Sequence, residues 1–412
     1  MTPPAATAPA PFRGWRAVRA AFVLAAFGWG VGFYGPPVFL HAVQAARGWP
    51  VWLISAAVTA HFLIGAAVVA NLPALHRRLG LPRTTAAGAV LAALGVLGWS
   101  LAAEPWQLFL VTLLSGIGWA TTSAAAVNAV VAPWFVRRRP VALSAAYNGA
   151  SVGGVVFSPL WVALIAAIGF PAAAGLVGAV MVVTVGWLAA SVLGATPAGD
   201  GSIPDGDAAP PPPALMPGPP ALPGGALWRN QRFATLSGAA ALGLFAQIGL
   251  IAHLVSLLAP ALGTGGAGLA AGFATACAIA GRMGLARTLR PGADRRIAAC
   301  ASYAVQIAGS LVLLAAGDHP VALLLGVALF GFGIGNATSL PPLIVQAEFA
   351  PADGPRAVAL VTACGQAAYA FAPLAFGALR DLSGSGAALF LLAAAAQALA
   401  VGALLAGRRP SG

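Results

Sequence analysis

Lysine is absent from this chain, and all 21 basic residues are arginine. Acids are scarce as well. Nine Asp and Glu occur in 412 residues, and charged side chains make up only 7% of the total, against about a quarter in a soluble protein. Such poverty in charge excludes an ordinary soluble domain. Cys277, Cys300 and Cys364 are isolated, with neither metal-ligand spacing nor a disulfide framework. They are expected to pack, and no metal or cofactor is expected. The HExxH and GxSxG signatures, paired carboxylates and a P-loop are all missing from the sequence. The chain is therefore not expected to be an enzyme or to use ATP directly.

The sequence is instead rich in apolar side chains, 60% of it, with a mean hydropathy of +0.89. Runs of about 20 apolar residues cross a bilayer as helices. Twelve spans are predicted, at roughly 17–41, 51–73, 84–103, 106–132, 141–167, 171–193, 233–260, 264–288, 296–316, 320–346, 356–380 and 384–407. The first is too long for a signal-peptide core and no cleavage site follows it, so it reads as a retained helix.

The net charge of +12 does not point to nucleic acid, because the arginines are sorted by side. Eighteen fall in the termini and loops of one side, including Arg77, Arg78, Arg83, Arg137 to Arg139, Arg295 and Arg296. Only Arg47 and Arg380 fall on the other, and Arg282 lies within a span. The positive-inside rule then predicts a multi-pass protein of a bacterial-type cytoplasmic (inner) membrane with both termini cytoplasmic. Trp15, Trp49, Trp52, Trp106, Trp134 and Trp228 lie near span ends, as an interfacial belt would.

Two phrases are almost the same. GIGWAT occupies 116–121 and GIGNAT occupies 333–338. Phe135 follows the first copy by 19 residues and Phe349 the second by 16; Pro159 follows by 43 and Pro373 by 40. The constant offset of three marks a duplicated unit of about 200 residues. Between the copies, residues 195–228 are Pro-, Gly- and Ala-rich with three Asp, which reads as a flexible cytoplasmic linker. The expected organisation is a six-helix bundle at 1–194, the linker, and a second six-helix bundle at 229–412. Six is an even number, so the two bundles run in parallel.

Twelve spans in two halves with a long central loop resemble the major facilitator superfamily. Within it, WFVRRRPVALSAAYNGASVGGVVFSPL (134–160) and GRMGLARTLR (281–290) resemble the monocarboxylate transporter and oxalate–formate exchanger branch. The resemblance implies an all-α membrane protein with two pseudo-symmetric bundles and transport by alternating access. It implies that Arg282 binds a substrate carboxylate and that spans 1, 4, 7 and 10 line the centre. The chain departs from the family pattern at four places. His76 and Arg290 stand where an acid is usual, Ala278 stands where animal relatives have Asp, and the span 1 Lys has no counterpart. Proton coupling of the monocarboxylate type does not follow.

Arg282 is the sharpest single signal, because an ionised group within a span costs roughly 3 kcal/mol on insertion scales. No acid lies deep in any span; Glu104 and Glu348 sit near ends. A substrate carboxylate would serve as counter-ion; alternatively Arg282 snorkels to water. The candidate substrate-binding set is Arg282, Asn336, His253, Gln247 and Tyr34. Asn336 replaces Trp119 in the repeat. His253 and His61 are candidate proton sites, and the alternative for each is a neutral ring bonded to a backbone carbonyl. Other mid-span polar residues, among them Asn148, Gln366 and Tyr369, serve helix–helix bonds or substrate equally well. GFYGPP (32–37) is expected to break span 1. The expected function is secondary transport of a small organic anion, by symport or exchange, by a monomer. The alternatives are efflux of apolar or drug-like compounds, and a transport-like sensor.

Overall fold

The computed structural model describes residues 12–207, 222, 226–290 and 292–408. Among them, twelve helical segments are long and apolar enough to cross a bilayer. They are α1 (Gly14–Arg47), α2 (Val51–Leu79), α3 (Leu81–Leu101), α4 (Pro105–Trp134), α5 (Arg139–Ile168) and α6 (Phe170–Leu193). The second half holds α7 (Gln231–Gly263), α8 (Gly265–Thr288), α9 (Arg295–Ala315), α10 (Pro320–Glu348), α11 (Gly354–Ser383) and α12 (Ala387–Ala406). No strand occurs among the described residues. The protein is an all-α membrane protein of twelve helices in two pseudo-symmetric bundles.

Several helices outrun the predicted spans, because hydropathy marks the apolar stretch and not the helical turns beyond it. α1 has 34 residues and α10 has 29. The long helices are also interrupted. α4 breaks at Ser123, whose backbone is extended, and α10 breaks at Gly335. The break in α4 thus falls two residues after the first copy of the repeated hexapeptide, and the break in α10 falls within the second. α7 and α8 meet at Gly263, where φ is +69°, a conformation glycine adopts without a Cβ penalty.

Within the first half α1 lies along α5, and α3 along α4 and α6; in the second, α9 lies along α10 and α12. Between halves, α2 faces α11 and α5 faces α8. At the Arg-rich end, part of the 195–228 segment docks on the first half. Asp205 is 5% exposed. Its carboxylate accepts from the backbone N–H of Val136, Arg137 and Arg138 at 3.1, 2.8 and 3.1 Å, just ahead of α5. The rest of that segment lies outside the described residues except Leu222 and 226–228, and Leu222 N–H donates to Asp353 at 2.8 Å.

Candidate functional site

A cavity of about 500 Å³ lies between the halves, within the range that accepts drug-sized ligands. α1, α4 and α5 wall it on one side and α7, α8, α10 and α11 on the other. The expected helices 1, 4, 7 and 10 are all present, joined by α5, α8 and α11. It reaches from Arg282 toward Leu254 and Gly268, at the ends of α7 and α8 away from the Arg-rich end. At the Arg-rich end the halves are tied together. Arg139 Nη1 donates to Gln346 Oε1 at 3.2 Å, and Gln346 Nε2 donates to Asn128 Oδ1 at 3.1 Å.

Arg282 is seated by close backbone packing of α8 on α10. A Cβ added to Gly281 would stand 1.9 Å from the Phe332 carbonyl oxygen, and one on Gly335 would stand 2.0 Å from that of Ala278. Only glycine allows that approach. The Arg282 side chain is 5% exposed. Its Nε donates to the Gly335 carbonyl at 2.6 Å, and Nη1 donates to Asn148 Oδ1 of α5 at 2.7 Å and to Ser151 Oγ at 3.5 Å. Among the described residues no carboxylate pairs with it or lines the cavity, and Nη2 has no protein acceptor. A buried guanidinium with two free N–H donors facing a cavity has the chemistry to accept an anion.

The opposite wall is aromatic, and the break in α1 places it. Tyr34 N–H bonds back to Trp29 O at 2.8 Å, leaving the Gly30 carbonyl without its helical partner. Trp161 Nε1 donates to that carbonyl at 3.1 Å. Pro36 has no N–H to offer Gly32, and His61 Nε2–H donates to the Gly32 carbonyl at 2.9 Å. His61 Nδ1 then accepts from Ser115 Oγ at 2.9 Å. Two side chains thus replace the helical bonds that the break removes, and Phe33 and Tyr34 turn into the cavity.

Of the five expected substrate residues, Arg282, Gln247 and Tyr34 line the cavity. Gln247 also donates to Gln306 Oε1 at 2.8 Å. Asn336 does not line it: it faces a separate void of about 20 Å³ and donates to Ser302 Oγ at 2.9 Å. Its Oδ1 is buried without a partner among the described residues. The repeated hexapeptide marks the Trp119-to-Asn336 difference but not the direction in which the side chain points. His253 is outside the lining too, and its Nε2–H donates to the Pro373 carbonyl at 3.1 Å, joining α7 to α11. His61 is 1% exposed and away from the cavity. Asn148 and Ser151 were legible only as polar residues in a span; Phe33 carried no signal beyond its place in GFYGPP.

A family profile described as Major Facilitator Superfamily matches residues 21–373. A stretch of 154 residues is 32% identical to Monocarboxylate transporter 13 of Rattus norvegicus, covering 36% of this chain and 34% of that protein. The fold is similar to that of the human organic anion transporter MFSD10 (TETRAN), with a TM-score of 0.69 and 16% identity over 96% of this chain and 100% of that one. It is also similar to the Escherichia coli fucose:proton symporter FucP, with a TM-score of 0.67 and 16% identity over 95% of this chain and 99% of that one.

Proposed function

The chain belongs to the Major Facilitator Superfamily, and from that premise we propose that it is a secondary transporter of a small organic anion, a carboxylate in the first instance. The observation that carries the proposal is Arg282, a buried cation at the cavity wall with two N–H donors free and no carboxylate partner among the described residues. A planar carboxylate accepts both donors of such a group and supplies the missing counter-charge. An efflux role for cationic compounds finds no acid among the described residues that line the cavity.

The two bundles, 1–194 and 229–412, rock about this cavity and expose it to each side in turn. The Arg-rich end is cytoplasmic by the positive-inside rule, so the Arg139–Gln346–Asn128 contacts close the cavity toward the cytoplasm. The partial relative named a monocarboxylate transporter, and the fold neighbour named an organic anion transporter, support the same substrate charge. Since no carboxylate lines the cavity among the described residues, a co-transported proton rides on the substrate's carboxyl group or on a histidine, His253 or His61. Otherwise the cycle is anion exchange.

The test is thermal-shift binding of mono- and dicarboxylates to the purified protein, followed by uptake of the best binder into liposomes. Stabilisation by carboxylates but not by their amides supports the proposal. Equal stabilisation by acid and amide overturns it.

A further inference from the structure

We infer that the substrate is an amphipathic monoanion, with one carboxylate on an aromatic or similarly flat apolar body, and not a short hydroxy or keto acid. The inference names the substrate class of the site proposed above and rests on that reading. It stands on three features of the cavity.

The first is charge. Arg282 is the only charged residue among the described residues that line the cavity. A second carboxylate on the same substrate would lie in a largely apolar space with no counter-ion, which is costly for an ionised group.

The second is the aromatic wall. The Phe33 ring lies 5.0 Å from Tyr34, 6.1 Å from Trp119 and 5.8 Å from Tyr369, centroid to centroid. Trp29 lies 5.0 Å from Trp119, edge to face. Offset and edge-to-face pairs of this kind recognise a further ring at 4.5–7 Å. Phe33 and Tyr34 are only partly buried, unlike Trp119 at 3% and Tyr369 at 7% exposed. These two rings therefore offer free surface to a ligand. A short acid bound at Arg282 would leave that surface to water.

The third is the position of Tyr34 between the two poles. It belongs to the aromatic group, yet its hydroxyl has no protein partner among the described residues. Its ring lies over Gly154 of α5, where an added Cβ would stand 2.5 Å from the ring. The site thus runs from a cationic end through a phenol to an aromatic end.

The experiment uses the full-length wild-type protein and titration calorimetry with acetate, phenylacetate, indole-3-acetate, phenylacetamide and phenylmalonate. Phenylacetate and indole-3-acetate are expected to bind at least ~10-fold more tightly than acetate, because the added ring buries apolar surface. Phenylacetamide and phenylmalonate are expected to bind at least ~10-fold more weakly than phenylacetate. Phe33→Leu is expected to remove most of the aryl gain, read as the ratio of phenylacetate to acetate affinity in the same variant. Acetate binding as tightly as phenylacetate overturns this inference and leaves the anion reading standing. Phenylmalonate matching phenylacetate overturns the single-charge part. Phenylacetamide matching phenylacetate, or silence from every acid, overturns the anion reading and this inference with it. The ligand series needs no variant, so a Phe33→Leu protein that fails to fold does not weaken the test.

Discussion

Arg282 of α8 donates to Asn148 of α5 across 2.7 Å, and this bond joins the two halves of the molecule at the cavity wall. Asn148 is a neutral acceptor, so it orients the guanidinium without cancelling its charge. Asn148→Asp keeps the shape and supplies the missing carboxylate. Anion binding should then fall by about tenfold or more, since the substrate must displace an internal counter-ion. Thermal stability should be equal or higher. Unchanged anion affinity in this variant would show that the charge of Arg282 plays no part in binding.

Arg282→Lys separates the fork from the charge. One ammonium cannot serve Gly335, Asn148 and a bidentate anion together. Carboxylate affinity should drop about tenfold or more, with the net charge of the chain unchanged. A lysine variant with wild-type uptake would favour a side chain that merely reaches for water.

The docked piece of the 195–228 segment separates two kinds of linker variant. Asp205 holds three backbone N–H groups ahead of α5, where a carboxylate also meets the positive end of the helix. Asp205→Ala should cost about 1–2 kcal/mol, as loss of a helix cap does, read as a lower melting temperature. Replacing 208–221 by a Gly/Ser segment of equal length should leave stability and uptake near wild type, because composition marks that stretch as a tether. An unchanged melting temperature in Asp205→Ala would show that the cap contributes nothing, and damage from the Gly/Ser replacement would show that 208–221 is more than a tether.

The halves and their number of helices were legible because hydropathy and repeat spacing report on the bilayer, an environment common to every span. Arg282 was legible for the same reason, as a charge out of place. Its partners were not. Asn148 and Gly335 lie 134 and 53 residues from it, and no local pattern states that contact. Asn336 shows the limit from the other side. The repeat singled it out, but its side chain donates to Ser302 of α9 and does not line the cavity. For His61 the kind of bond, ring nitrogen to backbone carbonyl, was among the two readings offered, but its partner Gly32 was not. Pro36 announced that a carbonyl would be freed, but not which distant side chain would answer it.

Glu348 and Arg296 form a second test of buried charge. Arg296 is 1% exposed and binds both oxygens of Glu348 at 2.6 and 2.8 Å, while also donating to Thr235 and to the carbonyls of Arg232 and Leu404. The cluster staples α7, α9, α10 and α12 at the Arg-rich end. Glu348→Gln leaves a buried cation without its counter-ion and should cost about 3–5 kcal/mol. Glu348→Leu with Arg296→Met removes both charges and should recover much of that loss in a thermal melt. A double variant as unstable as the single would mean that the hydrogen bonds matter and the charge does not.

Proton coupling turns on two histidines with different duties. His61 donates to Gly32 and accepts from Ser115, so both ring nitrogens are occupied by structural partners and the ring closes the break in α1. His61→Gln can replace one of those bonds but not both in the same geometry. It should lower the melting temperature by an amount equivalent to about 1–2 kcal/mol, while the pH profile of uptake keeps its shape. Among the described residues His253 has only one bonded nitrogen, at the Pro373 carbonyl of α11. If the cycle passes a proton through His253, His253→Gln should flatten the pH dependence of uptake without abolishing binding. The measurement is initial uptake of the best-binding carboxylate into liposomes from pH 5 to 8, for the wild type and both variants. Should both variants follow the wild-type curve, neither ring carries the proton, and it crosses on the substrate's own carboxyl group or the cycle is anion exchange.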